Sequence, residues 1–211
     1  MHTVITSAKA KEAAEYLGRN DPILLPIIQR VGPATFRPHQ DYYWELVDSI
    51  ISQQLSVKAA RSIEQRFQEL FGSEVPSPQQ ILQKDVEELR AVGLSRPKAN
   101  YIRDLAAHIA SGKVSFDKFD SLSNDEIMKE LIDVKGIGEW TVHMFLMFCM
   151  GRLDVLPVGD LGIRNSIRQL YGFKDIPTPD EIRAVAKKYH WAPYESIASW
   201  YIWQNLDNTP A

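Results

Sequence analysis

The sequence predicts an all-α fold. Three observations carry this expectation. Apolar residues recur with a helical rhythm, as at Tyr43, Leu46, Val47, Ile50 and Ile51. Helix start and stop signals are frequent and well placed. No stretch sustains the apolar/polar alternation of a half-buried strand.

Taken in order, Ser7 to Leu17 is an amphipathic stretch closed by Gly18, and Asp21-Pro22 is an N-cap with proline at the first helical position, that helix ending at Gly32. Further helices are expected over about 41–54, from a Ser56 cap to Phe71, over 85–92 and over 96–110. Ser123-Asn-Asp-Glu126 and Thr178-Pro-Asp-Glu181 are capping boxes, each setting a side-chain acceptor against the amide three residues on. The first opens a helix to about Asp133, and a second helix follows over about 139–150. Asp160 opens another that ends at Gly172, and the last covers about 194–206.

The 211 residues fit one large domain or two closely packed lobes, and 45% hydrophobic content supports a core without disulfides. A single cysteine, Cys149, excludes a disulfide framework, a multi-cysteine zinc site and a four-cysteine iron–sulfur cluster. Within FLMFCM it reads as inert core. His143 reads as a packed or surface residue, because no metal-ligating cluster accompanies it in sequence. No apolar run approaches the roughly 20 residues of a membrane-spanning helix, and the N-terminus lacks the order of a signal peptide. A net charge of −3 argues against coating nucleic acid through bulk charge, but not against gripping a few phosphates with backbone amides.

The most informative segment is residues 131–148, LIDVKGIGEWTVHMFLMF. Gly136 and Gly138 permit a tight reversal and keep side chains off the turn. The helix that follows presents unpaired N–H groups and its positive dipole end, a natural site for a phosphate. Taken alone, such a turn is an ordinary corner between helices. Asp160 alone is most simply an N-cap, Trp191 and Trp200 are most simply core, and Trp203 suits a pocket wall as well as it suits core.

Together, Leu131, Val134, Gly136, Ile137, Gly138, Thr141 and Val142 resemble the helix-hairpin-helix of the DNA glycosylase superfamily. In that family a catalytic aspartate follows in a P-x-x-D-x-x-(I/V/L)-(R/K) setting, here Pro157-Val-Gly-Asp160-Leu-Gly-Ile163-Arg164. Trp140 stands where bifunctional relatives carry a lysine nucleophile. The segment Trp191 to Trp203 is similar to the W-x-P-(W/Y)-x-S-x-A-x-x-x-x-W pattern of the 3-methyladenine DNA glycosylase II family.

The resemblance implies a monofunctional glycosylase acting on alkylated purines in base excision repair, with no lyase activity. Asp160 would be catalytic. Trp140, Met144 and Trp203 would bind the base, Met144 replacing a tyrosine found in some members. Gly136, Gly138 and Thr141 would contact DNA. Ile50 to Ser56 resembles the family's I-x-x-Q-x-x-S segment, which assigns Gln53, Gln54 and Leu55 to the wedge and its surroundings. Gly93 to Ala99 also resembles a family segment, with turn and phosphate roles.

No cofactor is required, although a structural Na or K ion is implied at the backbone of Ile132, Val134 and Ile137. The implied partner is double-stranded DNA with a damaged base, bound by a monomer in the bacterial cytoplasm, or the nucleus in a eukaryote. One catalytic unit is expected, with a central lobe over 45–165, a terminal lobe from 1–44 plus 166–211, and a base-binding cleft between the lobes. The alternatives are a glycosylase for another lesion (uracil, hypoxanthine or a mismatch) and a non-catalytic DNA-binding hairpin protein.

Overall fold

The computed structural model describes residues 4–39 and 41–206. Their regular structure is twelve α-helices, a 3-10 turn at Phe116–Lys118 and a π-helical stretch, with one isolated bridge between Val4 and Arg152. The described residues fall into two compact units, 41–145 and 4–39 with 146–206.

The terminal unit begins with α1 (Ser7–Asn20) and α2 (Leu25–Val31). Gly18 does not end α1 as expected; the helix continues to Asn20. A Cβ at Gly18 would lie 3.2 Å from Leu25 Cδ1, so the glycine serves the close approach of α2. Asp21 caps the turn at 22–24, Oδ1 accepting from the Ile23 and Leu24 amides at 2.9 and 3.2 Å. It does not cap the helix itself, which begins at Leu25 after Leu24, so Pro22 is not the first helical residue as expected. Its Oδ2 accepts from the Tyr171 hydroxyl at 2.6 Å and the Trp191 indole N–H at 2.8 Å. A buried carboxylate is tolerable here because its lone pairs are answered.

The central unit holds α3 (Tyr42–Ser52), α4 (Val57–Glu69), α5 (Pro78–Gln83), α6 (Val86–Ala91), α7 (Arg96–Ala110), α8 (Asn124–Ile132) and α9 (Glu139–Met144). The capping box at Ser123 is present as the sequence indicates. A further box at Ser77 and Gln80 opens α5, which the sequence reading omitted. The face of α3 that carries Leu46, Val47, Ile50 and Ile51 is buried, with α3 packed on α4 and α7. Each such side chain contributes about 1.5–3 kcal/mol by leaving water.

After α9 the chain forms a π-helical stretch, Phe145–Cys149, and returns to the terminal unit through α10 (Leu161–Tyr171), α11 (Pro179–Lys188) and α12 (Glu195–Leu206). The expected boundary near 165 falls at 145 instead. The reason lies in residues 146–165. Ser196 N–H donates to the Leu153 carbonyl at 2.9 Å, and Val155 N–H donates to Ser196 Oγ at 3.1 Å. Ile163 and Ile167 share one core with Leu17, Trp191, Ile197 and Tyr201. Asp160 therefore belongs to the terminal unit. Cys149 is buried, as expected, its Sγ donating to the His39 carbonyl at 3.3 Å.

Candidate active site

Asp160 is the N-cap of α10. Its extended backbone (φ −68°, ψ 125°) lets Oδ1 accept from the Ile163 amide at 2.7 Å. The same oxygen accepts from the Trp203 indole N–H at 3.0 Å. Two donors from different helices thus fix one carboxylate oxygen. Space around it is tight, since a Cβ at Gly162 would lie 3.0 Å from Asp160 Oδ1 and 3.3 Å from Trp203 Nε1. The Trp203 ring also packs on Phe148, with centroids 5.8 Å apart and planes tilted by 35°. The half-buried Trp203 thus ties the carboxylate to α12.

In the central unit the hairpin joins α8 to α9. Gly136 has φ +87°, and a Cβ there would lie 2.2 Å from Tyr101 Cδ2 on α7. Both backbone conformation and packing therefore require glycine. The turn is tethered at two further points: Lys135 N–H donates to Asp104 Oδ2 at 2.9 Å, and Gln53 Nε2 donates to the Gly136 carbonyl at 2.8 Å. Gly138, the N-cap of α9, supplies no side-chain cap, and a Cβ there would meet nothing within 4 Å. The positive end of α9 thus has an uncrowded approach. Of the cation-site positions, Ile132 is exposed while Val134 and Ile137 are buried.

A cavity of about 490 Å³ lies between α3 and α9, lined by Glu45, Asp48, Gln53, Gln54, Trp140 and Met144 among others. Trp140 keeps 54% of its surface exposed, unusual for so large an apolar ring. Thr141 is buried among the cavity residues rather than projecting outward. His143 is half-buried, and burial holds its pKa below the usual imidazole value despite Glu139 nearby.

Gln53, Gln54 and Leu55 follow α3. Gln53 has its amide committed to the hairpin. Gln54 is exposed in the left-handed region (φ 57°), where a residue with a Cβ is strained. Leu55 is exposed beside it. Lys98 holds this segment: its Nζ donates to the Ile51 carbonyl at 2.8 Å and the Gln53 carbonyl at 2.5 Å, closing the C-terminus of α3. Partial burial lowers the Lys98 pKa. Sequence reasoning missed Asp48, Tyr101 and Asp104, and it gave Lys98 no contact. Only Asp48 left a trace, standing on the polar face of α3 with Glu45, Ser49 and Ser52.

The described residues thus hold a helical hairpin with an open amide end and an aromatic-walled cavity in the central unit, and an immobilised carboxylate in the terminal unit of an all-α protein. The model of the HhH-GPD superfamily base excision DNA repair proteins matches residues 47–190, and the chain belongs to this superfamily. It is 33% identical over 199 residues to the alkylbase DNA glycosidase-like protein mag2 of Schizosaccharomyces pombe, covering 92% of each chain. The DNA-3-methyladenine glycosidase of Bacillus halodurans has a similar structure (TM-score 0.83, 34% identity, 93% of this chain and 89% of that one). The S. pombe 3-methyladenine DNA glycosylase Mag1, solved in complex with abasic DNA, gives a TM-score of 0.78 at 33% identity, covering 93% of this chain and 97% of that one.

Proposed function

We propose that this protein is a monofunctional DNA glycosylase that hydrolyses the N-glycosidic bond of alkylated purines, of the 3-methyladenine and 7-methylguanine type, in double-stranded DNA. The observation that carries the reading is the Asp160 carboxylate, fixed by the Ile163 amide and the Trp203 indole. The names of the relatives above, alkylbase and 3-methyladenine glycosylases, support the substrate class.

The chemistry follows from charge. As the glycosidic bond breaks, its electron pair leaves with the base and positive charge develops at C1′ of the deoxyribose. Asp160 would stabilise that charge. Water then adds to C1′ and gives up one proton, to Asp160 or to solvent. An N-alkylated purine is already cationic, so it departs as a neutral base without an acid to protonate it. The electron-rich face of Trp140 would attract such a base by about 0.5–2 kcal/mol. Tryptophan offers no amine for a Schiff base, so strand cleavage is not expected.

Unstacking the nucleotide costs a few kcal/mol. The exposed pair Gln54 and Leu55 would fill the gap it leaves. Gly136, Gly138 and the first turn of α9 would hold a backbone phosphate. The carbonyls of Ile132, Val134 and Ile137 are neutral, hard oxygen donors of the kind an alkali cation accepts. That of Val134 accepts from the Ile137 amide at 3.1 Å and keeps a second lone pair. A Na or K ion held there would add positive charge near the phosphate. The protein is taken to act as a monomer. No helix among the described residues is long and apolar enough to cross a membrane.

The test is chromatography of bases released from methylated duplex DNA, with borohydride added to parallel reactions. Release of 3-methyladenine or 7-methylguanine without a trapped covalent complex is expected. Release confined to uracil or hypoxanthine would overturn the substrate class, and a trapped complex would overturn the monofunctional assignment.

A further inference from the structure

The cavity between α3 and α9 contains a carboxylate, that of Asp48, which no group among the described residues neutralises. Glu45, Asp48, Ser49 and Ser52 fall on one face of α3, and all four line the cavity. The serine hydroxyls are spent within the helix, Ser49 donating to the Leu46 carbonyl at 2.8 Å and Ser52 to the Ser49 carbonyl at 3.1 Å. Asp48 is half-buried and makes no hydrogen bond or ion pair among the described residues. Burial, and after it the like charges of Glu64 on α4 and Glu45 on its own helix, push its carboxyl up to about 6.

Drawing a carboxylate partly out of water without a partner is costly, and here two like charges add to the cost. Stability alone would favour asparagine, which has the same shape without the charge. The indole of Trp140 lines the same cavity and offers a face that also attracts cations. A negative wall and a π face in one cavity suit a flat, positively charged ring and disfavour its neutral counterpart.

We propose that Asp48 is a specificity-determining residue that selects a cationic base over a neutral one in this cavity. The inference rests on the proposed glycosylase function, with this cavity receiving the base. Asp48 makes no bond and takes no proton in the reaction. It adds an attraction that a neutral purine lacks, which separates alkylated bases from the excess of normal ones.

The experiment compares wild type with Asp48→Asn, checking both by circular-dichroism melting. Single-turnover release of 3-methyladenine (cationic in DNA) and hypoxanthine (neutral) is measured on defined duplexes. The expected result is a roughly tenfold fall in the ratio of the two rates, through slower alkylpurine release, since one nearby charge has been removed. An unchanged ratio overturns the proposal. So does selective loss of hypoxanthine release, which would make Asp48 a proton donor to a neutral leaving group. If hypoxanthine release is below detection, calorimetric binding of 7-methylguanosine and guanosine replaces it, and a wild-type preference for the methylated nucleoside should disappear in the variant. Persistence or initial absence of that preference overturns the proposal. Failure of wild type to release any alkylated base is a different outcome, and it refutes the glycosylase reading before the variant is considered.

Discussion

Replacing Trp203 with phenylalanine separates the two things this side chain does. The ring's packing on Phe148 is largely kept, while the indole N–H that reaches Asp160 Oδ1 at 3.0 Å is lost. A hydrogen bond to an ionised acceptor contributes about 1.5–3 kcal/mol, and the half-buried setting of both partners favours the lower end. About 1.5 kcal/mol corresponds to a Tm fall of roughly 3–6 °C in a chain of this size. The carboxylate keeps the Ile163 amide but loses its anchor on α12. Single-turnover base release should therefore slow by roughly tenfold to a hundredfold, with little change in affinity for duplex DNA. The same substitution in an Asp160→Asn background supplies the control. If Trp203 acts through Asp160, its effect on rate should nearly vanish there. A wild-type rate in Trp203→Phe, or an undiminished penalty in the Asp160→Asn background, would refute the orienting role.

Gly136→Ala should destabilise the protein by about 3 kcal/mol or more, measured by urea unfolding, because a Cβ meets both a positive φ and the Tyr101 ring 2.2 Å away. Lys98→Met should cost about 1–3 kcal/mol by leaving the Ile51 and Gln53 carbonyls unanswered, and hydrogen exchange should rise at residues 53–55. Asp48→Asn should raise stability above pH 6. Burial raises the carboxyl of Asp48 to about 6 in the folded protein, above the ordinary aspartate value of 3.8, so ionisation is disfavoured by folding. The gain should be full above the folded value, shrink as pH falls from 6 towards 4, and vanish below. Solvent screening of a half-exposed group limits it to about 1 kcal/mol. A gain that is the same at pH 4 and pH 8 would contradict the assignment.

What the sequence disclosed and what it hid divide along the range of the interactions. Capping is local, so Ser123 with Glu126 and Asp160 with Ile163 were legible as motifs spanning three residues. Helix α5 was overlooked although Ser77 and Gln80 carry a capping box, because six residues display too little periodicity to register as amphipathic. Gly18 read as a stop signal, but its role is contact with a residue on the next helix. The site follows the same division. Asp160 and Trp140 stood out through the resemblance of their surroundings to a family. The bond from Trp203 to Asp160 spans 43 positions and that from Gln53 to Gly136 spans 83, and no local pattern encodes either. Asp48 looks in sequence like any acidic residue on a solvated helix face. Its significance comes from partial burial and from Glu64, a residue of another helix.

The most direct test of the account is release of alkylated bases from methylated duplex DNA by wild type and Asp160→Asn. Asparagine retains an Oδ1 acceptor for the Ile163 and Trp203 donors, so the fold and its Tm should be nearly unchanged. Wild type should release 3-methyladenine or 7-methylguanine, and the variant should do so at least roughly a hundredfold more slowly, having lost the charge that stabilises the transition state. Comparable release by both proteins would contradict the role assigned to Asp160.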